Sequence, residues 1–186
     1  MECFFKAVDI YKKLGVDDSG TYNNIGVLYC GMGDYKKAIV YYKKALDAAN
    51  KDDFDDVATC YLNLASQYEP LCLYDEAEEY YLKSLECTRE LVNNNPYKYV
   101  FDMIGIYRRI MLFYYFMEQY DKSDEYCDKV LKIIEKIIHH EKEHLDEFIY
   151  IYNNLGVYYG NVNNNYDKAI LYYNKGLELA LLGAKE

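Results

Sequence analysis

The segment NNIGVLYCGMGDYKKAIVYYKKAL, residues 23–46, is nearly repeated as NNLGVYYGNVNNNYDKAILYYNKGL, residues 153–177. Self-similarity of this kind is typical of repeat architectures, in which one supersecondary unit buries its apolar face against its neighbours. Two weaker copies lie between these segments, around Leu64 and Ile110. The sequence therefore predicts four related units in one chain.

Each copy has the spacing of two amphipathic helices joined by a short turn. Its first half places aromatic, aliphatic and small residues at i, i+3, i+4 and i+7, and its second half continues with a similar stripe. In the first copy, GMGDY (31–35) has the glycine and aspartate that are typical of a turn. The recurring residues are Tyr22, Ile25, Gly26, Tyr29, Tyr35, Ala38, Tyr42 and Ala45; Tyr61, Leu64, Ala65, Tyr68, Tyr74, Ala77, Tyr81 and Ser84; Tyr107, Ile110, Met111, Tyr114, Tyr120, Ser123, Cys127 and Val130; and Tyr152, Leu155, Gly156, Tyr159, Tyr166, Ala169, Tyr173 and Gly176.

This pattern resembles the tetratricopeptide repeat, a helix–turn–helix unit of about 34 residues. Tyrosine stands where that family usually has tryptophan, and the family's terminal proline is absent from every copy. The resemblance covers roughly residues 19–182. The extended units, with their NNLG element, look like those of kinesin light chains and similar cargo adaptors. The resemblance implies an all-α, right-handed superhelical solenoid and a non-enzymatic role in protein–protein interaction.

The repeat spacing also predicts the organisation of the chain. We expect a single repeat domain over residues 1–186, with repeats at 19–52, 58–95, 97–141 and 144–186 and a leading helix at 2–14. The units lie 39, 46 and 45 residues apart, so the second helices should be long or followed by real loops. Pro96 should end one helix and start the next. The last helix lacks a polar cap, which predicts either a longer array or self-association through that uncapped terminal helix.

Composition limits the class of partner. The net charge of −10 and the pI of about 4.8 disfavour nucleic acid and anionic membranes as partners. No apolar run reaches the roughly 18 residues of a membrane span. The six cysteines are scattered without CxxC spacing, which favours reduced thiols in a cytoplasmic protein. We expect no cofactor.

One segment formally matches a zinc-protease motif. His140, Glu141 and His144 have HExxH spacing, which in such enzymes supplies two zinc ligands and a base. The segment lies in a charged linker, and neither a third ligand nor a substrate cleft is evident. We therefore expect it to be catalytically silent, and a metalloprotease is kept only as an alternative function.

The fold implied by the resemblance has a concave groove lined by the first helices of the units. Positions just beside the packing stripe should face that groove and bind a peptide or a partner helix. Asparagine recurs there although it is a mediocre helix former, so its amides are expected to pair with the ligand main chain. Duplication alone is the alternative explanation for the recurrence. The predicted site residues are Asn23, Asn24, Val27, Asn63, Ser66, Arg108, Arg109, Leu112, Asn153, Asn154 and Val157.

Two further functions remain as alternatives. A chaperone-type carboxylate clamp would need lysines, asparagines and an arginine at set positions, and only Asn63 and Arg109 fit that pattern. The array could also be purely structural, with an unoccupied groove. If the groove does bind a peptide, Arg108 and Arg109 should favour acidic residues at its middle.

Overall fold

A computed structural model describes residue 10 and residues 18–138, 144–161 and 165–183. Within these residues the chain is helical and contains no strand, which confirms the predicted all-α class. The leading helix predicted at 2–14 lies almost entirely outside the described residues. The helices are α1 (Ser19–Gly31), α2 (Tyr35–Ala48), α3 (Phe54–Tyr68), α4 (Tyr74–Asn94), α5 (Pro96–Phe116), α6 (Tyr120–Ile137), α7 (Leu145–Asn161) and α8 (Tyr166–Gly183), with a short 3-10 helix at Glu69–Leu71.

The helices pack as the repeat spacing predicts. Helix α1 packs against α2, α3 against α4, and α7 against α8, while α3 also packs against α2 of the preceding pair. The chain forms two compact units, Met1–Phe113 and Tyr114–Glu186. The organisation as one repeat domain stays a prediction.

Longer helices account for the wide spacing of the units. Helices α4 and α5 have 21 residues each, whereas α2 has 14. Helix α4 ends at Asn94 and Pro96 is the first residue of α5, which confirms the role predicted for this proline. Helix α3 begins at Phe54, before the expected start of the repeat at 58, because the Asp53 carboxylate accepts a hydrogen bond from the backbone N–H of Asp56 and caps it.

The turns inside the first three repeats share one backbone conformation. Gly33, Cys72 and Glu118 occupy equivalent positions and have φ values of 75°, 58° and 57°. Only the first is a glycine, so the other two turns hold a side chain in the left-handed region. The following residue, Asp34, caps α2 by accepting a hydrogen bond from the backbone N–H of Lys37.

A glycine on the first helix lets the second helix approach closely. An ideal Cβ placed on Gly26 would lie 2.6 Å from Cε1 of Tyr42, and one on Gly156 would lie 2.7 Å from Cε1 of Tyr173. Tyr42 is only 2% exposed, with Cys60 of α3 beside it, whereas Tyr173 is 43% exposed on α8. The small residue in the recurring stripe therefore makes room for an aromatic ring.

Stacks of tyrosine rings, each with a lysine ammonium over a ring, recur in the repeats. In the first, the Tyr41 ring lies between those of Tyr22 and Tyr29, with centroids 6.4 and 5.3 Å away. The Lys44 ammonium lies 5.3 Å from the centroid of Tyr41. This arrangement explains most recurring tyrosines as packing residues. The equivalent groups are Tyr61, Tyr68, Tyr80 and Lys83; Tyr114, Tyr126 and Lys129; and Tyr152, Tyr159, Tyr172 and Lys175.

Candidate partner-binding face

The first helices of three repeats, within the compact unit Met1–Phe113, carry most of the predicted site residues. These are α1, α3 and the part of α5 up to Phe113. We use the term α1–α3–α5 face for the surface made by the following residues: Asn23, Asn24, Val27, Asn63, Ser66, Arg108, Arg109 and Leu112. Helix α7 of the second unit carries the rest, namely Asn153, Asn154 and Val157.

Polar side chains connect neighbouring helices on this face. The Asn63 amide nitrogen donates to the Asn23 amide oxygen at 2.8 Å, joining α3 to α1. An Arg109 guanidinium nitrogen donates to the Ser66 hydroxyl at 3.4 Å, joining α5 to α3. Recurrence of polar residues here therefore has a partly structural cause that spacing alone did not reveal. The second amide N–H and the oxygen of Asn63 retain further hydrogen-bonding capacity.

Apolar side chains on the same face are exposed to solvent. Val27 is 50% exposed and Leu112 is 38% exposed, although both helices are packed into the unit. Ser66 holds the equivalent position on α3 and is half-buried. Asn24 is exposed beside Val27, whereas Arg108 is half-buried. The face thus combines unburied apolar groups with amide and guanidinium groups.

The compact unit Tyr114–Glu186 repeats part of this arrangement on α7. Val157 is 46% exposed, and Asn153 is exposed. The Asn153 amide oxygen lies 3.1 Å from the position of an ideal Cβ on Gly176, so this side chain lies against α8. Asn154 is half-buried, and its amide nitrogen is buried without a hydrogen-bond partner among the described residues. The asparagines that the sequence grouped together therefore lie in different surroundings.

A cavity that the sequence did not predict borders the α1–α3–α5 face. It measures about 190 Å³ and lies between α3, α4 and α5. All of its lining residues belong to the compact unit Met1–Phe113. A helical glycine, Gly105, lines it, and a Cβ placed there would meet no described atom within 4 Å beyond its chain neighbours and its own helix backbone. Its lining residues are Asp55, Ala58, Thr59, Leu62, Ser84, Thr88, Leu91, Phe101, Asp102, Gly105, Ile106 and Arg109.

Charged groups lie at both ends of this cavity. Partial burial raises the pKa of the Asp102 carboxyl above its usual range, and the charge of Asp55 raises it further. The ammonium of Lys98 acts in the opposite direction on the same carboxyl. Arg109 lies two helical turns after Asp102 on α5, about 10 Å along the helix axis. The cavity is therefore acidic at one end and basic at the other.

Of the HExxH segment, His144 is the residue that the structure describes. Its residues 140–143 lie outside the described residues, and the Nδ1 atom of His144 lies 3.5 Å from Oε1 of Glu147. Where the structure is described, no three His, Cys, Asp or Glu side chains gather into a group that could hold a metal ion. The catalytic silence of this segment stays a prediction. None of the described helices is both long and apolar enough to span a membrane.

Comparison with known proteins identifies the repeats. Residues 20–51, 58–89 and 149–181 match family models described as tetratricopeptide repeat, and together these segments make up more than half of the chain. The third predicted repeat lies in the interval between the second and third matches. It is also the copy in which Met111, Ser123 and Cys127 depart from the consensus.

Solved structures with the same fold include helical repeat proteins. The crystal structure of BtubC (BKLC) from P. vanneervenii has a TM-score of 0.71 at 23% identity, covering 90% of this chain and 65% of that chain. The crystal structure of MamA has a TM-score of 0.63 at 22% identity, covering 98% of this chain and 92% of that one. At this level of identity the likeness concerns the fold alone.

A curated relative is more similar in sequence but much longer. The Sol locus transcriptional repressor of Clostridium acetobutylicum is 30% identical over 123 residues, which cover 60% of this chain and 36% of that protein. The chain thus spans about a third of the relative it matches.

Proposed function

Since the chain belongs to the tetratricopeptide repeat family, we propose that it is a protein-interaction scaffold that binds an extended polypeptide segment along the α1–α3–α5 face. The repeat fold is typically a non-enzymatic scaffold, and it fits a role in protein–protein interaction. Stacked helical repeats present long surfaces on which such a segment can lie. The same reasoning extends to the equivalent residues of α7, Asn153, Asn154 and Val157.

The exposure of Val27 and Leu112 carries this proposal. These equivalent positions lie on two packed first helices and leave large apolar groups in water, at 50% and 38% exposure. Packing within the unit does not require an apolar residue at this position, because Ser66 occupies it on α3. An apolar ligand side chain that covers Val27 and Leu112 would remove this exposed surface.

Amide and guanidinium groups complete the proposed contacts. The exposed Asn24 amide and the remaining donor and acceptor of Asn63 can pair with the N–H and C=O groups of an extended ligand. Arg108 and Arg109 add positive charge on α5, which favours an acidic residue of the ligand near that helix. Because every polypeptide has main-chain groups, the amides would hold the ligand while the arginines and the apolar positions select its sequence.

Paired valine substitutions test this function. A peptide selected on the full chain from a phage-displayed random library would be titrated calorimetrically against Val27→Ser and Val40→Ser. Val40 is the matched control because it is 51% exposed on α2, away from the α1–α3–α5 face. Valine and serine have similar helix propensities, so neither change should alter folding.

The two variants should behave differently. Val27→Ser should weaken binding about tenfold or more, as expected for the loss of a buried valine side chain, and Val40→Ser should leave the Kd unchanged. Failure to select any peptide, or equal effects of the two variants, would contradict the proposal. A reducing, cytoplasmic setting and a partner other than nucleic acid remain our expectations for this scaffold. The five described cysteines are free thiols, which is consistent with such a compartment.

A further inference from the structure

The cavity beside the α1–α3–α5 face has the size of a side-chain pocket. Its volume of about 190 Å³ lies below the roughly 300–1,000 Å³ of typical small-molecule sites. Much of its wall is apolar and would suit the methylene stem of a long side chain. The apolar lining residues are Ala58, Leu62, Leu91, Phe101 and Ile106.

Gly105 keeps this cavity open at a cost to its own helix. A glycine in a helix interior is about 1 kcal/mol less favourable than alanine. At Gly26 and Gly156 a neighbouring tyrosine ring explains the missing Cβ, but at Gly105 a Cβ would meet nothing within 4 Å. Packing therefore does not require a glycine at this point of α5. Its effect is to leave space at the cavity wall.

The charges of the cavity favour a cation at one end. Asp55 and Asp102 line this end from α3 and α5, and the charge of Asp55 disfavours the ionised form of Asp102. Asp55 lies in the first turn of α3, where the helix dipole favours an acidic residue, but Asp102 lies beyond the first turn of α5. Lys98 is close enough to influence both carboxylates, yet its ammonium donates to the Tyr99 hydroxyl at 2.6 Å.

We propose that this cavity takes one lysine or arginine side chain of the bound polypeptide, with its stem against the apolar wall and its charged head between Asp55 and Asp102. The inference rests on the proposed function and adds a specificity pocket to it. Arg109 at the opposite end repels a second cation and attracts an acidic ligand residue. The ligand would therefore be held in one direction along α5, with its basic residue toward Asp102 and its acidic residue toward Arg109.

A charge-removal cycle tests the pocket. The probe is the peptide selected on the full chain, with each lysine replaced in turn by norleucine or each arginine by citrulline, which keep the size of the side chain and remove its charge. One such replacement should weaken binding to the unmodified protein about 10- to 100-fold, the range expected for a hydrogen-bonded charged group. The same replacement should have little further effect on Asp102→Asn or Asp55→Asn. Asp47→Asn, an exposed change on α2, is the control for net charge alone.

Substitutions at Gly105 test the cavity without changing charge. Gly105→Ala and Gly105→Leu should both raise Tm, because alanine and leucine are better helix formers than glycine. Gly105→Leu should weaken binding of the basic peptide at least tenfold, because the leucine side chain fills the cavity. Binding of the neutral analogue of that peptide should weaken much less. Gly105→Ala adds only a methyl group and should lie between glycine and leucine in affinity. This pair separates loss of the pocket from loss of folding.

The outcomes distinguish the pocket proposal from the proposed binding along the α1–α3–α5 face. If the peptide binds and Val27→Ser weakens it, but no basic residue matters and Asp102→Asn behaves like Asp47→Asn, the pocket proposal is wrong and the proposed function stands. Equal losses for charged and neutral peptides with Gly105→Leu would also overturn it. If no peptide is selected, NMR shifts of the Gly105 and Asp102 amides with acetyl-arginine amide, acetyl-lysine amide and acetyl-citrulline amide decide the question. Shifts with either cationic probe but not with the neutral one support the pocket, and their absence with both cationic probes refutes it.

Discussion

The ring of Tyr42 lies directly over the backbone of Gly26, so close that an ideal Cβ on Gly26 would lie 2.6 Å from the ring. Tyr42 is fully packed at 2% exposure and cannot move away. The same pair recurs as Gly156 and Tyr173, but there the tyrosine is 43% exposed. The two glycines therefore have the same local role under different constraints.

Alanine at these two glycines should have different effects on stability. Overpacking usually costs about 1–3 kcal/mol, and the roughly 1 kcal/mol gained in helix propensity offsets only part of that cost. Gly26→Ala should therefore destabilise the fold. Gly156→Ala should be neutral or stabilising, since Tyr173 can rotate into solvent. Thermal melts of both variants provide the comparison. Equal changes in Tm would show that burial of the facing ring does not determine the cost.

The turns with a left-handed non-glycine residue should be improvable. Cys72 has φ 58°, where Gly33 stands in the first unit. Cys72→Gly should raise the free energy of unfolding by about 0.5–1 kcal/mol, because relief of backbone strain exceeds the entropy cost of glycine. Cys87→Gly, inside α4, is the matched control and should lose about 0.3 kcal/mol of helix propensity. Glu118→Gly should behave like Cys72→Gly, and a loss of stability in both would contradict the strain argument.

The amide pair on the α1–α3–α5 face should contribute to stability as well as to binding. A double-mutant cycle of Asn23→Ala and Asn63→Ala should give a coupling of about 0.5–1.5 kcal/mol, the usual contribution of one hydrogen bond. Asn24 is exposed, and Asn24→Ala should keep or raise Tm because alanine is the better helix former. A coupling near zero in denaturant melts would mean that the 2.8 Å contact contributes nothing.

Folding stability should fall at high pH because of buried tyrosines. Burial raises the pKa of Tyr42, Tyr158 and Tyr172 to about 12 in the folded chain, against about 10 for an exposed tyrosine. A raised pKa in the folded state gives stability that is complete below pH 10 and is lost as the pH rises toward 12. Tyrosinate absorbance should therefore increase in two steps, the second coinciding with loss of helical circular dichroism. A single step near pH 10 with the helices intact would contradict this.

The outer face of α8 should cause association between chains. This surface leaves Leu177 and Leu181 57% and 55% exposed, together with Ile170, Leu171 and Leu182. Light scattering should show an apparent mass that rises with concentration, and Leu177→Lys should reduce it. Leu82→Lys, an exposed change on α4, is the control and should leave association unchanged. A monomer at all concentrations would remove self-association as an expectation.

Sequence spacing predicted the packing of α1 on α2, α3 on α4 and α7 on α8 because that packing depends on residue size at fixed helical intervals. The Gly26–Tyr42 contact and the tyrosine stacks follow from such intervals alone. It could not predict the surroundings of Asn24, Asn63 and Asn154. These depend on which side chain the neighbouring helix presents. Asn63 donates to Asn23, whereas Asn154 buries its amide nitrogen with no hydrogen-bond partner in the described part of the chain.

Sequence spacing did not predict the cavity between α3, α4 and α5 for a related reason. It depends on the lengths of α4 and α5 and on residues without a counterpart in the repeat pattern, above all Gly105 and Asp102. A glycine inside a helical pattern, away from the position where Gly26 and Gly156 recur, was the available signal. Its meaning becomes clear only once the space around its Cα is known.

The tyrosine stacks also have an optical consequence. The chain contains 25 tyrosines and no tryptophan, so no indole is present to collect or mask the excitation of the phenol rings. Ring centroids 5–6 Å apart, as between Tyr29 and Tyr41 or Tyr68 and Tyr80, are close enough for excitation to pass from ring to ring. Emission from the folded chain should therefore be depolarised relative to the unfolded chain. A single tryptophan placed beside one stack would collect this energy and report on that unit alone.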